Sequence, residues 1–490
     1  MAPLKTEVAF GLQYLPASAK VPTLGQGDAL DELERRGIHY IRFQWVDYIN
    51  LTRYRVIPLP SFRELLTASR PGVGIAKVVF GLIGVSLAPG FSGTGEYLYT
   101  PDLTSTRICG YAPGHASVMG WFEEKLPIQD NSNAGGDPFK VSLCPRGLLR
   151  DIVSNDRKGK ALGVDFLVGI ETKFILLKST NPIEAVNDAP WSASRALLSG
   201  SNAAKCLEDI ADALRIGDIE VLMYHAEAAP GQYEIVTGPL PPVEAADAVV
   251  FTRETIINIA AKHGLHATFS PRVYAHTCGS AAHAHISIHP TPQRPANPPP
   301  ENPNTNQDTT MTPLERSFLQ SLLDNLPSST AFTLPTVASY DRVQDGIWSG
   351  GTYACWGVEN RETTVRLTGA PGSHHFEVRT MDGTSNPHIA LATILGLGLV
   401  GVQKGLELKI KAIDVPAVEL SAEERTERGI KGRLWRTLSA ARDAARQDAT
   451  IINVLGQEFV QKYLDVNEVM ENFLKSPTLE EEKIKGILNY

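Results

Sequence analysis

Between about residues 28 and 125 the chain alternates short apolar and polar runs with Gly- and Pro-containing turns. IHYIRFQWV, YRVIPL and EYLYTP carry the two-residue period of strands, and only SFRELLTASR repeats at helical spacing, so a small strand-rich unit is expected here. QDNSNAGGDPFK follows with the Asn, Gly, Asp and Pro content of a linker, which places a boundary near residue 140 and divides the chain into segments 28–140 and 141–490. In the second segment CPRGLLRDIVSNDRKG opens on Pro145 and carries Leu148, Leu149, Ile152 and Val153 at helical spacing. VEAADAVVFTRETIINIAAKHG predicts a long amphipathic helix ended by Gly264. Strands lie between and after these helices, so the class expected is α+β with antiparallel strands. The apolar run from Ile389 to Val402 is too short to cross a bilayer and reads as a buried helix. The Pro- and Asn-rich stretch at about 290–312 lacks the apolar area to offset its ordering entropy, and an exposed loop is expected there.

Composition narrows the classes. At 490 residues with 43% hydrophobic and 20% charged residues, the chain can bury a sizeable core. Its net charge of -8 contains no Lys/Arg-rich run of the kind that neutralises a phosphate backbone, which argues against nucleic acid as a partner. Cys109, Cys144, Cys206, Cys278 and Cys355 are odd in number and scattered, pointing to a reducing, cytoplasmic setting. MAPLKTEVAF lacks the apolar core of a signal peptide, and no membrane partner is expected.

Four strand candidates carry ionisable groups two residues apart, which on a strand means one face. Glu171 and Lys173 project together from DFLVGIETKFILL; His283, His285, Ser287 and His289 share a face of HAHISIH; Glu377 and Arg379 share a face of HFEVR. In HAEAAPGQYEIV a Pro230-Gly231 turn can fold Glu227 and Glu234 back toward each other. Glu171, Glu227, Glu234, Glu377 and His283 form a hard-oxygen set with one imidazole, suited to Mg²⁺ or Mn²⁺. Arg342, Arg361, Arg366 and Arg379 add planar cations that bind phosphates bidentately. Carboxylates holding divalent ions among arginines are the equipment of ATP phosphoryl transfer. The plainer alternative is that these are solvent-facing residues of half-exposed strands.

Read in order, GIETKF, EAAPGQYEIV, ATFSPRVYAHTCGSAAHAHIS, SYDRVQDGIW, WGVENRETTVRL and FEVRTMDGTSNPHIALA resemble the successive signature segments of glutamine synthetases. FQWVDYINLTRYRVIP and YLYTPDLTSTRI extend the resemblance into the first segment. It implies an N-terminal β-grasp domain, a catalytic domain whose antiparallel strands form a funnel, ATP and Mg²⁺ or Mn²⁺ as cofactors, a small-molecule acid and amine as substrates, and a ring homo-oligomer. Position by position, Glu171, His283 and Glu377 match ligands of the metal nearer ATP, while Glu227 and Glu234 match two ligands of the metal nearer the acid. Arg342 and Arg379 match residues holding the acid and its phosphorylated form. Arg361 and Arg366 match the phosphate clamp, with His285, Ser287 and His375 at the nucleotide. Cys278, beside Gly279, stands where the family usually has an asparagine contacting the substrate's amino-acid end, His375 stands where it often has an arginine near the nucleotide, and Asp47 matches an aspartate that serves the neighbouring subunit's amine site.

Two departures bear on the chemistry. Lys173 stands where the pattern has a third carboxylate ligand of the substrate-side metal. At about 4 Å and an effective dielectric near 20 each unit-charge pair is worth roughly 4 kcal/mol, so this exchange beside a divalent ion reverses the balance by over roughly 10 kcal/mol. Either that metal is absent, or Lys173 turns away, or its ammonium replaces the metal's charge. Trp348 stands six residues after Arg342, where ammonia-using members carry the glutamate that deprotonates ammonium, and an indole is no general base. Tryptophan at this point resembles the γ-glutamyl-amine ligase subgroup, and an indole offers a face to an organic amine. The alternative is an indole packed in the core. The expectation is an ATP-dependent ligase that joins glutamate or a related acid, through an acyl phosphate, to an amine other than ammonia. Its rival is a catalytically silent paralogue with a structural or regulatory role.

Overall fold

The computed structural model describes residues 14–21, 29–128, 137–154, 159–291, 310–370 and 372–490. Most of the expected linker and of the 290–312 loop lie outside the described residues.

The two-residue period of the first segment becomes a five-stranded sheet in the order Thr52–Pro58, Tyr40–Val46, His115–Glu124, Glu96–Ile108, Val73–Ala76. Tyr40–Val46 runs parallel to His115–Glu124, and every other pair is antiparallel. Ile41, Phe43 and Trp45, one face of the Tyr40–Val46 strand, are buried. The edge strand Thr52–Pro58 leaves Tyr54 and Val56 exposed. The helix expected in SFRELLTASR spans Leu59–Leu65. A second short helix, Ala29–Arg35, was not legible in the pattern because it buries little beyond Leu33.

The second segment builds a nine-stranded sheet on one long central strand, Val164–Thr180. The main path runs Val221–Ala226, Gln232–Thr237, Val164–Thr180, Ala284–Pro290, His375–Val378, Val365–Thr368, Trp356–Val358. The pairings are antiparallel, as the sequence leads one to expect, except the parallel pair Trp356–Val358 with Val365–Thr368. The predicted helices appear as Pro145–Ser154 and Pro242–Lys262. The apolar run lies in Pro387–Lys404, a helix buried in the fold rather than presented to a bilayer. It packs on Pro313–Thr333, and Gly401 permits the approach: a Cβ there would lie 2.0 Å from the Ser317 carbonyl oxygen.

Where the helices Pro145–Ser154, Pro242–Lys262 and Pro387–Lys404 meet the first sheet, buried charges tie the elements together. Arg146 donates Nε to Asp247 Oδ1 at 3.0 Å and Nη2 to Asp247 Oδ2 at 2.8 Å, and Nη2 also reaches Asp102 Oδ2 at 2.7 Å. His388 Nε2 lies 2.8 Å from Asp247 Oδ1, and the guanidinium sits 3.8 Å over the Trp121 ring. Burial pushes the Asp247 carboxyl up, but Arg146 and His388 outweigh it and hold the group well below the usual carboxylate range.

Candidate functional site

Strand register assembles the site. Glu234 pairs with Lys173 on one side and with His225 on the other, giving a transverse row His225, Glu234, Lys173. Further across the sheet Glu377 pairs with His285 and with Arg366, giving a second row. Residues directly opposite in neighbouring strands share a face, so each row is a line of touching side chains. Glu171, two residues before Lys173 on the central strand, joins the rows. Its carboxylate lies 2.7 Å from His283 Nδ1, 3.0 Å from His285 Nε2 and 3.3 Å from Lys173 Nζ.

The charges are buried and mutually compensated. Lys173 Nζ lies 2.8 Å from Glu234, 3.1 Å from Glu227 and 3.3 Å from Glu171. Burial opposes its charge, but the three carboxylates outweigh burial and push the ammonium's pKa up. Burial likewise works against Glu171, yet Lys173 and His283 hold its carboxyl well below the ordinary range. Glu377 is held low against its burial by His283 and Arg379. Its carboxylate touches Arg379 Nη1, and its Oε2 accepts from Arg366 Nη1 at 3.0 Å. His285 is shifted up against its burial by Glu171. His225, which the sequence reading passed over, is pushed up to about 9 by its bond to Glu234. The signal was present: His225 and Glu227 are two residues apart at the end of a strand.

Two of these groups differ in their fitness for a cation. Ligand atoms of Glu171, His285 and Glu377 all lie within 4.8 Å of one another, and His283 presents Nδ1 to both carboxylates. Two carboxylates with imidazole fit Mg²⁺ or Mn²⁺. Sequence assigned His283 to the metal and His285 to the nucleotide; the geometry brings both to Glu171. His225, Glu227 and Glu234 also cluster within 4.8 Å, but the Lys173 ammonium already touches two of them.

Beside the rows opens a pocket of about 250 Å³ whose wall includes Lys173, Glu227, Cys278, Arg342, Arg361 and Arg379, with Trp191 and Trp348 also lining it. Arg342 and Arg379 are buried, and each has an Nε without a partner among the described residues. A buried unsatisfied donor is unfavourable by about 1–3 kcal/mol, so these guanidiniums are set up for an anion. Burial pushes the Arg342 guanidinium down to about 10. Gly279 makes room for it: a Cβ would lie 2.3 Å from Arg342 Cγ and 2.6 Å from the Pro271 carbonyl oxygen. Cys278 is half-buried, with Sγ 3.7 Å from the Ile347 carbonyl oxygen.

Trp348 does not pack in the core. It is 66% exposed, at a φ of 56° that bulky residues rarely adopt. Two neighbours hold it there: its N–H donates to Glu362 Oε1 at 2.6 Å, and its carbonyl accepts from Arg379 Nη2 at 2.6 Å. Trp191, 61% exposed, was not legible as a site residue because it comes from an irregular loop.

The remaining candidates lie around this centre. Arg366 also pairs with Glu359, and Arg361 is exposed on the pocket wall. Ser287 Oγ meets His289 Nε2 at 2.8 Å, and the His375 ring stands 5.1 Å from that of His285. Burial and His285 lower the His375 pKa to about 4. Asp47 is not brought to its own chain's site. Its carboxylate is buried, accepts the N–H groups of Ile49 and Leu51, and pairs with Arg53 Nε at 2.6 Å.

Comparison with known proteins gives this geometry a context. The profile described as "Glutamine synthetase, catalytic domain" matches residues 142–481. The chain is 32% identical over 456 residues to "Protein fluG" of Emericella nidulans, with 91% of this chain covered; it spans about half of that relative's length, 48%. It is 29% identical over 442 residues to "Gamma-glutamylpolyamine synthetase GlnA3" of Streptomyces coelicolor, covering 87% of this chain and 88% of the relative. The solved structure "GmaS/ADP complex-Conformation 1" shares the fold with a TM-score of 0.75 at 21% identity, over 92% of this chain and 97% of that one.

Proposed function

Because the chain belongs to the glutamine synthetase family, we propose that its pocket joins a carboxylic acid to an organic amine with consumption of ATP. The observation that carries this reading is the pair of buried guanidiniums, Arg342 and Arg379, which have unpartnered donors and line one pocket together with two exposed indoles. In this reading an acid oxygen attacks the γ-phosphorus and ADP leaves; the amine, as its free base after giving one proton to water, then attacks the acyl carbon, and phosphate leaves carrying the second proton. Arg342 and Arg379 hold the acid and neutralise charge as it builds on the transferring phosphoryl group, while Arg361 and Arg366 clamp the nucleotide's phosphates. Glu171, His283, His285 and Glu377 hold the divalent ion, which when bound screens the phosphate charge.

The amine side belongs to Trp348 and Trp191. Neither is a base, and both line the pocket with exposed indoles, whose faces suit an organic amine by apolar contact or cation–π attraction. The Streptomyces relative's name places it in the same substrate class. A silent scaffold is the weaker alternative, because it has no use for two buried guanidiniums with unpartnered donors lining one pocket.

The test is ATP-dependent phosphate release screened across acids and amines. No release with any pair, in protein shown to bind nucleotide, would favour the scaffold. Trp348→Ala should lower kcat/KM for large cationic amines relative to small ones by about 2- to 30-fold, corresponding to about 0.5–2 kcal/mol of indole–cation attraction. Trp348→Glu should raise ammonia-dependent turnover, and identical amine profiles for the wild type and both variants would remove the indole from the amine site. The same reading expects a ring of subunits, with exposed Tyr54 and Val56 on the edge strand as covered surface. Light scattering at micromolar concentration should give a mass many times that of one chain, and a stable monomer would refute it.

A further inference from the structure

The family resemblance assigns two divalent ions to this site, and the residues fit only one of them. Around the first, Glu171, His283, His285 and Glu377 converge with imidazole and carboxylate atoms in ligating range. Around the second, Glu227 and Glu234 converge on Lys173 Nζ, at 3.1 and 2.8 Å. We infer that the Lys173 ammonium is a built-in cation that takes the place of the substrate-side metal, so that this chain holds one divalent ion where the pattern calls for two.

Three features of the strand geometry support the exchange. Lys173 lies directly opposite Glu234 in the antiparallel register, so its side chain leaves the sheet on the carboxylates' face. The side chain is 12% exposed, and turning it toward solvent would break three ion pairs while leaving Glu227, Glu234 and Glu171 facing one another without a cation. An ammonium at about 3 Å from two carboxylates also leaves no room for an ion coordinated at about 2.0–2.1 Å by the same oxygens. Glu227 and Glu234 thereby act as positioning residues for Lys173. Lys173, which lines the pocket with Arg342 and Arg379, contributes a fixed positive charge to the acid's surroundings.

This inference rests on the proposed reading of the cluster as a metal-dependent ligase site, but its test needs no turnover. The experiment is direct titration of the full chain with Mn²⁺ alone, followed by the signal of free Mn²⁺ in electron paramagnetic resonance and by calorimetry. Wild type should bind one Mn²⁺ per chain, and Lys173→Glu should bind two, with the additional ion lost again in the double variant Lys173→Glu, Glu234→Gln. Should Lys173→Glu fail to fold, Lys173→Met supplies the second measurement: with the carboxylates deprived of their cation, Mn²⁺ should raise its Tm by more than it raises that of the wild type. Two ions in the wild type, none, or a Lys173→Glu variant that still binds one would each overturn the inference. An equal Mn²⁺-induced shift in Lys173→Met and wild type would do the same. A count of one ion in a chain inactive with every acid and amine would uphold the built-in cation while removing the ligase reading; two ions in an active chain would do the reverse.

Discussion

Arg379→Ala should reduce ATP-dependent phosphate release by at least about 100-fold, the largest functional loss expected of any single change in this site. The side chain ties the phosphate side of the pocket to the amine side. Its Nη1 touches Glu377 of the metal-competent cluster, its Nη2 binds the Trp348 carbonyl at 2.6 Å, and its backbone carbonyl accepts from Arg342 Nη2 at 3.2 Å. Alanine therefore removes a charge facing the reacting phosphoryl group and releases the strained Trp348 backbone, while the main-chain carbonyl that receives Arg342 Nη2 stays in place. Arg379→Lys should recover little, since a single ammonium cannot serve a carboxylate and a carbonyl in the planar fork geometry. Because Glu377 loses a buried partner, stability must be followed alongside activity. If kcat/KM stays within about 10-fold of wild type in a folded Arg379→Ala protein, the guanidinium does not face the reacting charge.

Asp247→Ala should destabilise the fold by about 3–5 kcal/mol, the range found when one member of a buried ion pair is removed. It would leave Arg146 with Asp102 as its sole carboxylate and His388 without its partner, where three helices pack against the first sheet. Asp247→Asn keeps the shape and part of the hydrogen bonding, so the difference between the two variants in denaturant unfolding isolates the charge. The pH dependence follows from the sign of the shift. A carboxyl depressed on folding contributes stability that is fully present above its unfolded pKa, near about 3.9, and is lost as pH falls toward the lower folded value. Wild type should therefore lose stability below about pH 4 more steeply than Asp247→Asn. Parallel curves would show that Asp247 is not held ionised by Arg146 and His388.

Much of the site could be read from the chain because strands impose a two-residue period. That period put Glu171 with Lys173 and Glu377 with Arg379 on shared faces, and the Pro230-Gly231 turn pointed to Glu227 approaching Glu234. The apolar run from Ile389 to Val402 specified a buried helix by its composition and length. Tertiary structure alone decided which faces meet. Register is set by packing across strands distant in sequence, so no local pattern could state that Lys173 lies opposite Glu234, that His285 lies opposite Glu377, or that His225 completes the first row. Nor could it choose among the three fates open to Lys173, because that choice turns on distances of about 3 Å between side chains of three separate strand ends and loops. Asp47 shows another limit: its motif suggests service to a neighbouring subunit, and within its own chain the fold adds only that a local turn and Arg53 hold its carboxylate. Trp348 combines both lessons. Sequence determined that no carboxylate stands at that point, and only the fold decided that the indole faces outward, because Glu362 and Arg379 hold its backbone in a conformation the residue would not adopt alone.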